Sequence, residues 1–111
     1  MPNILYKMII AIDFDGTLVE DKWPDIGPMI PEQFDRAKTL RSEGHQLILW
    51  TCREDSVQRK HLTEAVAFCS LMGLHFDAIN ENLPEHPYLH LGNSRKVYAD
   101  KYIDDKAFKS L

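Results

Sequence analysis

The sequence predicts an α/β fold built around a small parallel β-sheet. Short apolar runs of strand length, of which Met8–Ile12 and Gln46–Trp50 are the clearest, alternate with longer stretches of helical periodicity. This alternation is typical of parallel strands joined by right-handed helical crossovers. Polar residues directly follow several of the runs, and ligands of such sheets bind beyond the carboxyl ends of the strands. We therefore expect a site at that edge.

The size and composition of the chain predict a single domain that spans residues 1–111. Apolar residues make up 44% and charged residues 27% of the chain, which is ordinary for a soluble globular protein. The net charge of -4 gives no general attraction to nucleic acid or to an anionic membrane. Because no apolar run could span a bilayer and residues 1–8 lack the features of a signal peptide, we expect a cytoplasmic protein.

The first strand leads into the segment Asp13-Phe14-Asp15-Gly16-Thr17. Residues two apart on a strand point to the same side, so Asp13 and Asp15 can converge on one point. Two ionised carboxylates this close repel each other unless a divalent cation lies between them or one of them keeps a proton. Either condition suits phosphoryl chemistry. The alternative interpretation is a strand cap followed by a turn, since Asp and Gly are common turn residues.

The next part of the chain is predicted to form a loop, a helix and a second strand. The segment Leu18–Ile30 is expected to be irregular, because three prolines or glycines interrupt it. A helix is predicted over Pro31–Glu43, with proline suited to its first turn and Gly44 to its C-terminal cap. The buried strand Gln46–Trp50 then ends at Thr51.

The second half of the chain predicts one more helix and two more strands. A capping box at Asp55–Gln58 predicts a helix that runs to about Met72. Phe76–Ile79 predicts a short third strand, and Lys101–Ile103 predicts a fourth strand that leads into Asp104-Asp105. Three separate strands therefore direct acidic or hydroxyl side chains to one edge of the sheet. This coincidence is stronger evidence for a site than any single motif.

These segments, in this order, resemble the four motifs of the haloacid dehalogenase-like (HAD) superfamily of phosphohydrolases. The first motif, an apolar strand and DxDGT, is Ile9–Thr17, and the second, an apolar strand ending in Thr, is Leu47–Thr51. The third is a lysine ahead of the last strand, Lys96, and the fourth is the acidic pair Asp104-Asp105. The resemblance spans nearly the whole chain. It implies a Rossmann-like three-layer sandwich whose sheet has about four strands in the order 3-2-1-4.

The resemblance implies that the protein is a Mg²⁺-dependent phosphomonoester hydrolase. Asp13 would be the nucleophile that forms an aspartyl phosphate, and Asp15 would be the general acid and then the general base. Thr51 would donate a hydrogen bond to a phosphate oxygen, and Lys96 would neutralise the phosphoryl group. Two other lysines compete with Lys96 for that role, namely Lys101, which is expected on the strand itself, and Lys106.

The resemblance also implies a site for Mg²⁺. The ligands would be the carboxylate of Asp13, the backbone carbonyl of Asp15 and a carboxylate from the last strand. Since neighbouring residues of a strand point to opposite faces, we expect Asp104 to bind the metal directly. Asp105 is expected to be a second ligand or a partner through water.

Three residues near the motifs are expected to bind the substrate. Backbone N–H groups around Phe14 and Gly16 would complete a phosphate cradle. Arg53 follows the second motif, and such an arginine could grip a second anionic group of the substrate. The alternative is that Arg53 is a surface residue paired with Glu54 or Asp55.

Many relatives in this superfamily carry a cap domain, which the chain is expected to lack. The two places where caps are inserted correspond to residues 18–30 and 80–93, and each is predicted to be a loop. The substrate would be a phosphorylated compound of unknown identity, and an open site suits a large substrate or a lid formed by another subunit. A homo-oligomer is also expected because the sheet is small.

Two other functions are compatible with the same fold. One is a phosphoacceptor or signalling module, such as a response-regulator receiver domain. Receiver domains carry their acceptor Asp on the middle strand, however, and Phe76–Ile79 ends without an Asp. The other is a catalytically silent relative that serves as a binding module. Turnover of a phosphate ester separates the hydrolase from both.

Overall fold

A computed structural model of the protein describes residues 7–83 and 97–104. Within these residues the chain forms strands and two helices that alternate along the sequence. In chain order the elements are β1 (Ile9–Ile12), β2 (Val19–Lys22), β3 (Asp25–Met29), α1 (Pro31–Ser42), β4 (Gln46–Leu49), α2 (His61–Leu71), β5 (Ala78–Ile79) and β6 (Lys101–Ile103).

Four of the strands form a parallel sheet in the order β5-β4-β1-β6. β1 is an inner strand, paired with β4 from Ile9 opposite Gln46 and with β6 from Ile10 opposite Lys101. The predicted α/β class, with a parallel sheet of four strands, is confirmed. Because β1 has a neighbour on each side, the residue that follows it, Asp13, lies between the ends of two other strands.

The segment 18–30, predicted to be an irregular loop, forms the antiparallel hairpin β2–β3 instead. Both prolines fit this hairpin, since Pro24 lies in its turn and Pro28 lies on a strand with a free edge in this two-stranded sheet. Gly27 is needed for the close approach of the strands, because a Cβ atom there would lie 2.0 Å from the carbonyl oxygen of Glu20. The prediction was wrong because residues that usually interrupt strands are placed where a hairpin tolerates them.

Helix α1 has almost the bounds that the sequence predicts. Pro31 occupies the first helical position, and the helix gives way to a turn at Glu43. Gly44 has a φ of +98°, a conformation that glycine adopts without strain, and its N–H donates to the carbonyl of Arg41.

Helix α2 begins at His61, six residues after Asp55, the first residue of the predicted capping box. Asp55 pairs with Lys60 in a short bridge, so the intervening residues form a turn. The carboxylate of Asp55 still binds the start of the helix, because it accepts hydrogen bonds from the N–H and the hydroxyl of Thr63 at 2.9 Å and 2.5 Å. The hydroxyl bond is the main reason why the pKa of Asp55 lies below its usual value. The N-cap position is Lys60 and not Asp55, so the predicted capping box and the predicted start of the helix were both wrong.

The two faces of the sheet are covered by different parts of the chain. Both helices pack on one face, where their buried side chains meet alternate residues of β1 and β4. The opposite face is covered by residues that follow β5 and precede β6. The main contributors to the first face are Ile10, Ile12, Leu47, Leu49, Phe34, Ala37, Ala65 and Cys69. Those on the second face are Ala11, Ile48, Ala78, Leu83, Val97 and Ala99.

No helix in the described part of the chain is long and apolar enough to cross a membrane.

Candidate active site at the carboxyl edge of the sheet

The end of β1 is held from both sides. The N–H of Asp13 donates to the carbonyl of Ile103 in β6 at 2.9 Å. On the other side, the N–H of Trp50 donates to the carbonyl of Ile12, also at 2.9 Å. Asp13 is partly buried at this point and opens onto a cavity of about 570 Å³. The inner position of β1 thus sets the place of this carboxylate at the edge of the sheet.

Residues from four strand ends line the cavity together. Asp13 follows β1, Thr51 follows β4 and Asp104 follows β6, and all three residues line this cavity. Asn80, which follows β5, joins them. The expectation that parallel strands bring these side chains to one edge therefore agrees with the geometry.

Two of the predicted site residues, Lys96 and Asp105, lie outside the described residues, as does the competing Lys106. Lys101 lies on β6, as expected, and is exposed. The choice among the three lysines stays a prediction.

A tight turn carries the chain from Asp13 into the hairpin. The carbonyl of Phe14 accepts hydrogen bonds from the N–H groups of Thr17, Leu18 and Val19. Gly16 has a φ of +83°, which favours glycine at this position. Its N–H donates to the carbonyl of Val19 at 2.8 Å. A phosphate could use that N–H only by exchanging this bond, and the role of Gly16 in phosphate binding stays a prediction.

The side chain of Phe14 is fully buried in the core, and the role of its backbone in a phosphate cradle stays a prediction. The ring meets Phe68 of α2 edge-on, with 6.4 Å between the ring centroids. The residue between the two predicted catalytic carboxylates therefore anchors the turn to the core.

Asp15 and Arg53 form a two-point ion pair. Nε of Arg53 donates to Oδ2 of Asp15, and Nη2 donates to Oδ1, each at 2.8 Å. The side chain of Arg53 is 1% exposed and that of Asp15 is 18% exposed. Two-point contacts of this kind are among the strongest that arginine makes with a carboxylate. Both oxygens of Asp15 are therefore fixed by one guanidinium group.

The surroundings of Arg53 hold its guanidinium group on every side. It also donates to the carbonyls of Pro24 and Asp25 in the hairpin, at 3.4 Å and 3.0 Å. Its carbon Cζ lies 5.2 Å from the ring centroid of Phe14 and 5.0 Å from that of Trp23. The interpretation of Arg53 as a surface residue paired with Glu54 or Asp55 is wrong, because the side chain is buried against Asp15. Its role as a grip on the substrate stays a prediction.

Thr51 is held at the end of β4 by two hydrogen bonds. Its N–H donates to Oδ1 of Asn80 at 2.8 Å, and its hydroxyl oxygen accepts from the N–H of Arg53 at 3.2 Å. A hydroxyl that accepts a hydrogen bond retains its own proton to donate. This arrangement is suited to a donor for a phosphate oxygen.

Asn80 is a site residue that sequence analysis missed. It has a φ of +53°, a left-handed conformation that Asn tolerates better than most residues. Its position after the third predicted strand, at the same edge as the acidic residues, was the signal that could have found it.

No family model and no curated protein matches the chain. The chain is similar to a solved structure of a conserved protein coded by a locus from Bacteroides thetaiotaomicron. The two sequences are 46% identical, and the match covers 91% of this chain and 78% of that one with a TM-score of 0.77. This chain belongs to the same family.

Some of the residues that line the cavity carry oxygen atoms that could bind a metal ion. In residues 7–83 and 97–104, no three or more His, Cys, Asp or Glu side chains are grouped so as to hold one. The carboxylates of Asp13 and Asp104 nevertheless line the same cavity. The carboxylate of Asp15 is bound by Arg53, so in this arrangement Asp15 would offer its backbone carbonyl.

Proposed function

We propose that the protein is a Mg²⁺-dependent phosphomonoester hydrolase of the HAD type, which works through an aspartyl phosphate on Asp13. One observation carries the proposal: Asp13, Thr51 and Asp104, which come from three different strand ends, line a single cavity. A nucleophile, a hydrogen-bond donor and a second carboxylate are the groups that phosphoryl transfer of this kind needs.

The finer description of the fold belongs to the same proposal. We propose a Rossmann-like three-layer sandwich in which the four parallel strands, counted along the chain, lie in the order 3-2-1-4. The order β5-β4-β1-β6 supports this arrangement. So do the two helices on one face and the separate apolar cluster on the other.

The proposed reaction has two steps. In the first, a carboxylate oxygen of Asp13 attacks the phosphorus, the bond to the ester oxygen breaks, and Asp15 gives its proton to the leaving alkoxide. In the second, water attacks the phosphorus while Asp15 takes one of its protons, and the bond to Asp13 breaks. Inorganic phosphate leaves, and both aspartates return to their starting state. Thr51 donates to a phosphate oxygen throughout.

The residues at the cavity fit a magnesium ion. The carboxylates of Asp13 and Asp104 line this cavity, and they would hold the ion together with the backbone carbonyl of Asp15, since Mg²⁺ prefers hard oxygen donors. When bound, Mg²⁺ supplies the positive charge that lets a carboxylate approach a phosphate dianion. Lys96 and Asp105 are proposed to complete the site on the same chemical grounds.

The experiment measures phosphate release from p-nitrophenyl phosphate and from a panel of phosphorylated metabolites, with Mg²⁺ and with EDTA. We expect wild type to release phosphate only with the metal. Asp13→Asn keeps the shape of the side chain and removes the nucleophile, so it should reduce the rate by at least about a thousandfold. Asp35→Asn, an exposed aspartate on α1, is the matched control and should keep full activity.

Release that survives Asp13→Asn would overturn the proposed mechanism. Stable phosphorylation of Asp13 without turnover would indicate a phosphoacceptor module. A protein that binds Mg²⁺ and releases no phosphate from any compound would favour a macromolecular substrate or the silent binding module.

A further inference from the structure

The two-point contact between Arg53 and Asp15 joins the proposed proton donor to the hairpin β2–β3. We infer that Arg53 is a positioning residue of the proposed hydrolase, which sets the plane of the Asp15 carboxyl group so that the proton carried by Asp15 in the first step is directed at the leaving oxygen. This role rests on the proposed function of Asp13 and Asp15. It differs from a grip on the substrate, because Arg53 would act through Asp15.

The hydrogen bonds of the pair show how the plane is set. A single contact would let the carboxylate turn about its Cβ–Cγ bond, whereas bonds at 2.8 Å to each oxygen prevent that rotation. A carboxylate oxygen has two lone pairs, so Asp15 keeps acceptor capacity on both oxygens after it binds Arg53. Proton transfer depends on direction as well as distance, so a fixed plane is useful to a general acid.

Arg53 is itself prevented from moving. Its guanidinium group lies against the rings of Phe14 and Trp23 and donates to the carbonyls of Pro24 and Asp25. The hairpin therefore supplies two of the acceptors that hold Arg53, and Arg53 in turn holds Asp15. Most of the donors of the guanidinium group are used inside the protein, which fits a positioning role better than contact with an anionic substrate.

Burial of this pair also points to a role other than stability. A buried ion pair can often be replaced by apolar side chains of similar volume at little cost in stability. Here the ion pair borders a second cavity of about 330 Å³. That cavity is lined by Asp15, Asp21, Trp23, Cys52 and Arg53, and it adjoins the first cavity at Cys52.

The test compares two substrates that differ in their need for a proton donor. An alkyl phosphate such as glycerol 2-phosphate has a poor leaving group and needs a general acid, whereas p-nitrophenyl phosphate has a good one. We expect Arg53→Gln to reduce kcat for the alkyl ester by about tenfold or more beyond its effect on the aryl ester. KM should change little. Arg53→Lys keeps the charge and loses the two-point contact, so it should shift the same ratio.

Three further variants separate positioning from a general effect on the fold. Asp15→Asn should shift the substrate ratio in the same direction, and adding Arg53→Gln to it should cause no further shift. Arg59→Gln is the matched control. Arg59 also binds the hairpin, because it donates a 3.3 Å hydrogen bond to the carboxylate of Asp25, and it donates to Glu64 of α2 as well. It is not one of the groups that hold the Asp15 carboxylate. It should leave the ratio unchanged.

Four outcomes would overturn the inference. Equal losses on both substrates, or additive effects of the Asp15 and Arg53 substitutions, would indicate a structural role only. A raised KM with unchanged kcat would indicate a grip on the substrate. If wild type turns over neither ester, the proposed function fails, and the inference fails with it. Thermal unfolding of each variant checks its fold, and Arg53→Lys decides the question if Arg53→Gln does not fold.

Discussion

Asn80 combines a special backbone conformation with a hydrogen bond that the site uses. Its φ of +53° turns the chain at the end of β5, and its side-chain oxygen accepts from the N–H of Thr51. Its own N–H donates to the carbonyl of Leu49 at 2.8 Å. Asn80 thus joins the ends of β4 and β5, and it fixes Thr51, the proposed hydrogen-bond donor to the phosphate.

Substitutions at Asn80 separate these two contributions. Asn80→Gly removes the hydrogen bond and keeps the conformation, whereas Asn80→Ala also places a Cβ in the left-handed region. We expect Asn80→Ala to unfold with about 1 kcal/mol less free energy than Asn80→Gly, measured by urea denaturation. Both should reduce phosphate release, because Thr51 loses its anchor. Equal stability of the two variants would contradict the left-handed conformation of residue 80.

Some site residues could be predicted from the sequence and others could not, for a physical reason. Asp13, Thr51 and Asp104 each follow a buried apolar run, so a local pattern is enough to place them at one edge. The partner of Arg53 is 38 residues away along the chain. Adjacent acidic residues were the natural expectation, and burial of the guanidinium group is visible only once the hairpin is folded against it.

At the scale of elements, the hairpin β2–β3 depends on one close backbone approach. Gly27 is buried, and a Cβ atom added there would meet the carbonyl oxygen and carbon of Glu20 at 2.0 Å and 2.9 Å. Backbone atoms cannot move aside as the end of a flexible side chain can. The hairpin, in turn, supplies the carbonyls that bind Arg53.

Gly27→Ala should therefore separate the two strands. We expect it to lower the free energy of unfolding by about 1–3 kcal/mol, as overpacking in a buried position does, and to reduce hydrolysis through Arg53. Urea denaturation measures the first effect and phosphate release the second. Glu20→Ala, which changes an exposed side chain on the partner strand, is the control and should stay within about 0.5 kcal/mol of wild type. A Gly27→Ala protein as stable as wild type would rule out the close approach.

The accuracy of the element predictions followed the type of information that each needed. α1 was predicted well because its start and end are marked by Pro31 and Gly44, which act locally. The start of α2 was not, because Asp55 binds Thr63 across a turn that has no sequence marker. The hairpin was missed because prolines are tolerated in it only at the turn and on a free edge. Which residues occupy those places depends on the tertiary fold and is not visible in the local sequence.

At the scale of the whole molecule, the two cysteines lie in opposite environments. Cys52 is exposed and Cys69 is fully buried in the core between α2 and the sheet. Burial raises the pKa of the Cys69 thiol from its usual value of 9.0 to about 12. A thiol must lose its proton to react, so Cys69 is protected by both its position and its charge state.

Iodoacetamide should label the two thiols at very different rates. In the folded protein at about pH 8, Cys52 should react, while Cys69 should react only as the molecule unfolds. Mass spectrometry of the labelled peptides measures both rates, and Cys52→Ser isolates the slow one. Because the pKa of Cys69 is raised on folding, its contribution to stability is complete below pH 9.0 and is lost as the pH rises toward about 12. Equal labelling rates in native buffer would contradict the buried position.

The pairing of β1 with β6 has a consequence for how the protein is made. The N–H of Ile9 donates to the carboxylate of Asp100 at 2.6 Å, although the two residues are 91 positions apart in the sequence. The N–H of Asp13 donates to the carbonyl of Ile103. During synthesis β1 leaves the ribosome early, whereas β6 and Asp104 emerge only after the other strands of the sheet have been synthesised. A nascent chain can therefore begin to bury β1 against β4, but it cannot assemble the proposed site until residues 101–104 have been synthesised.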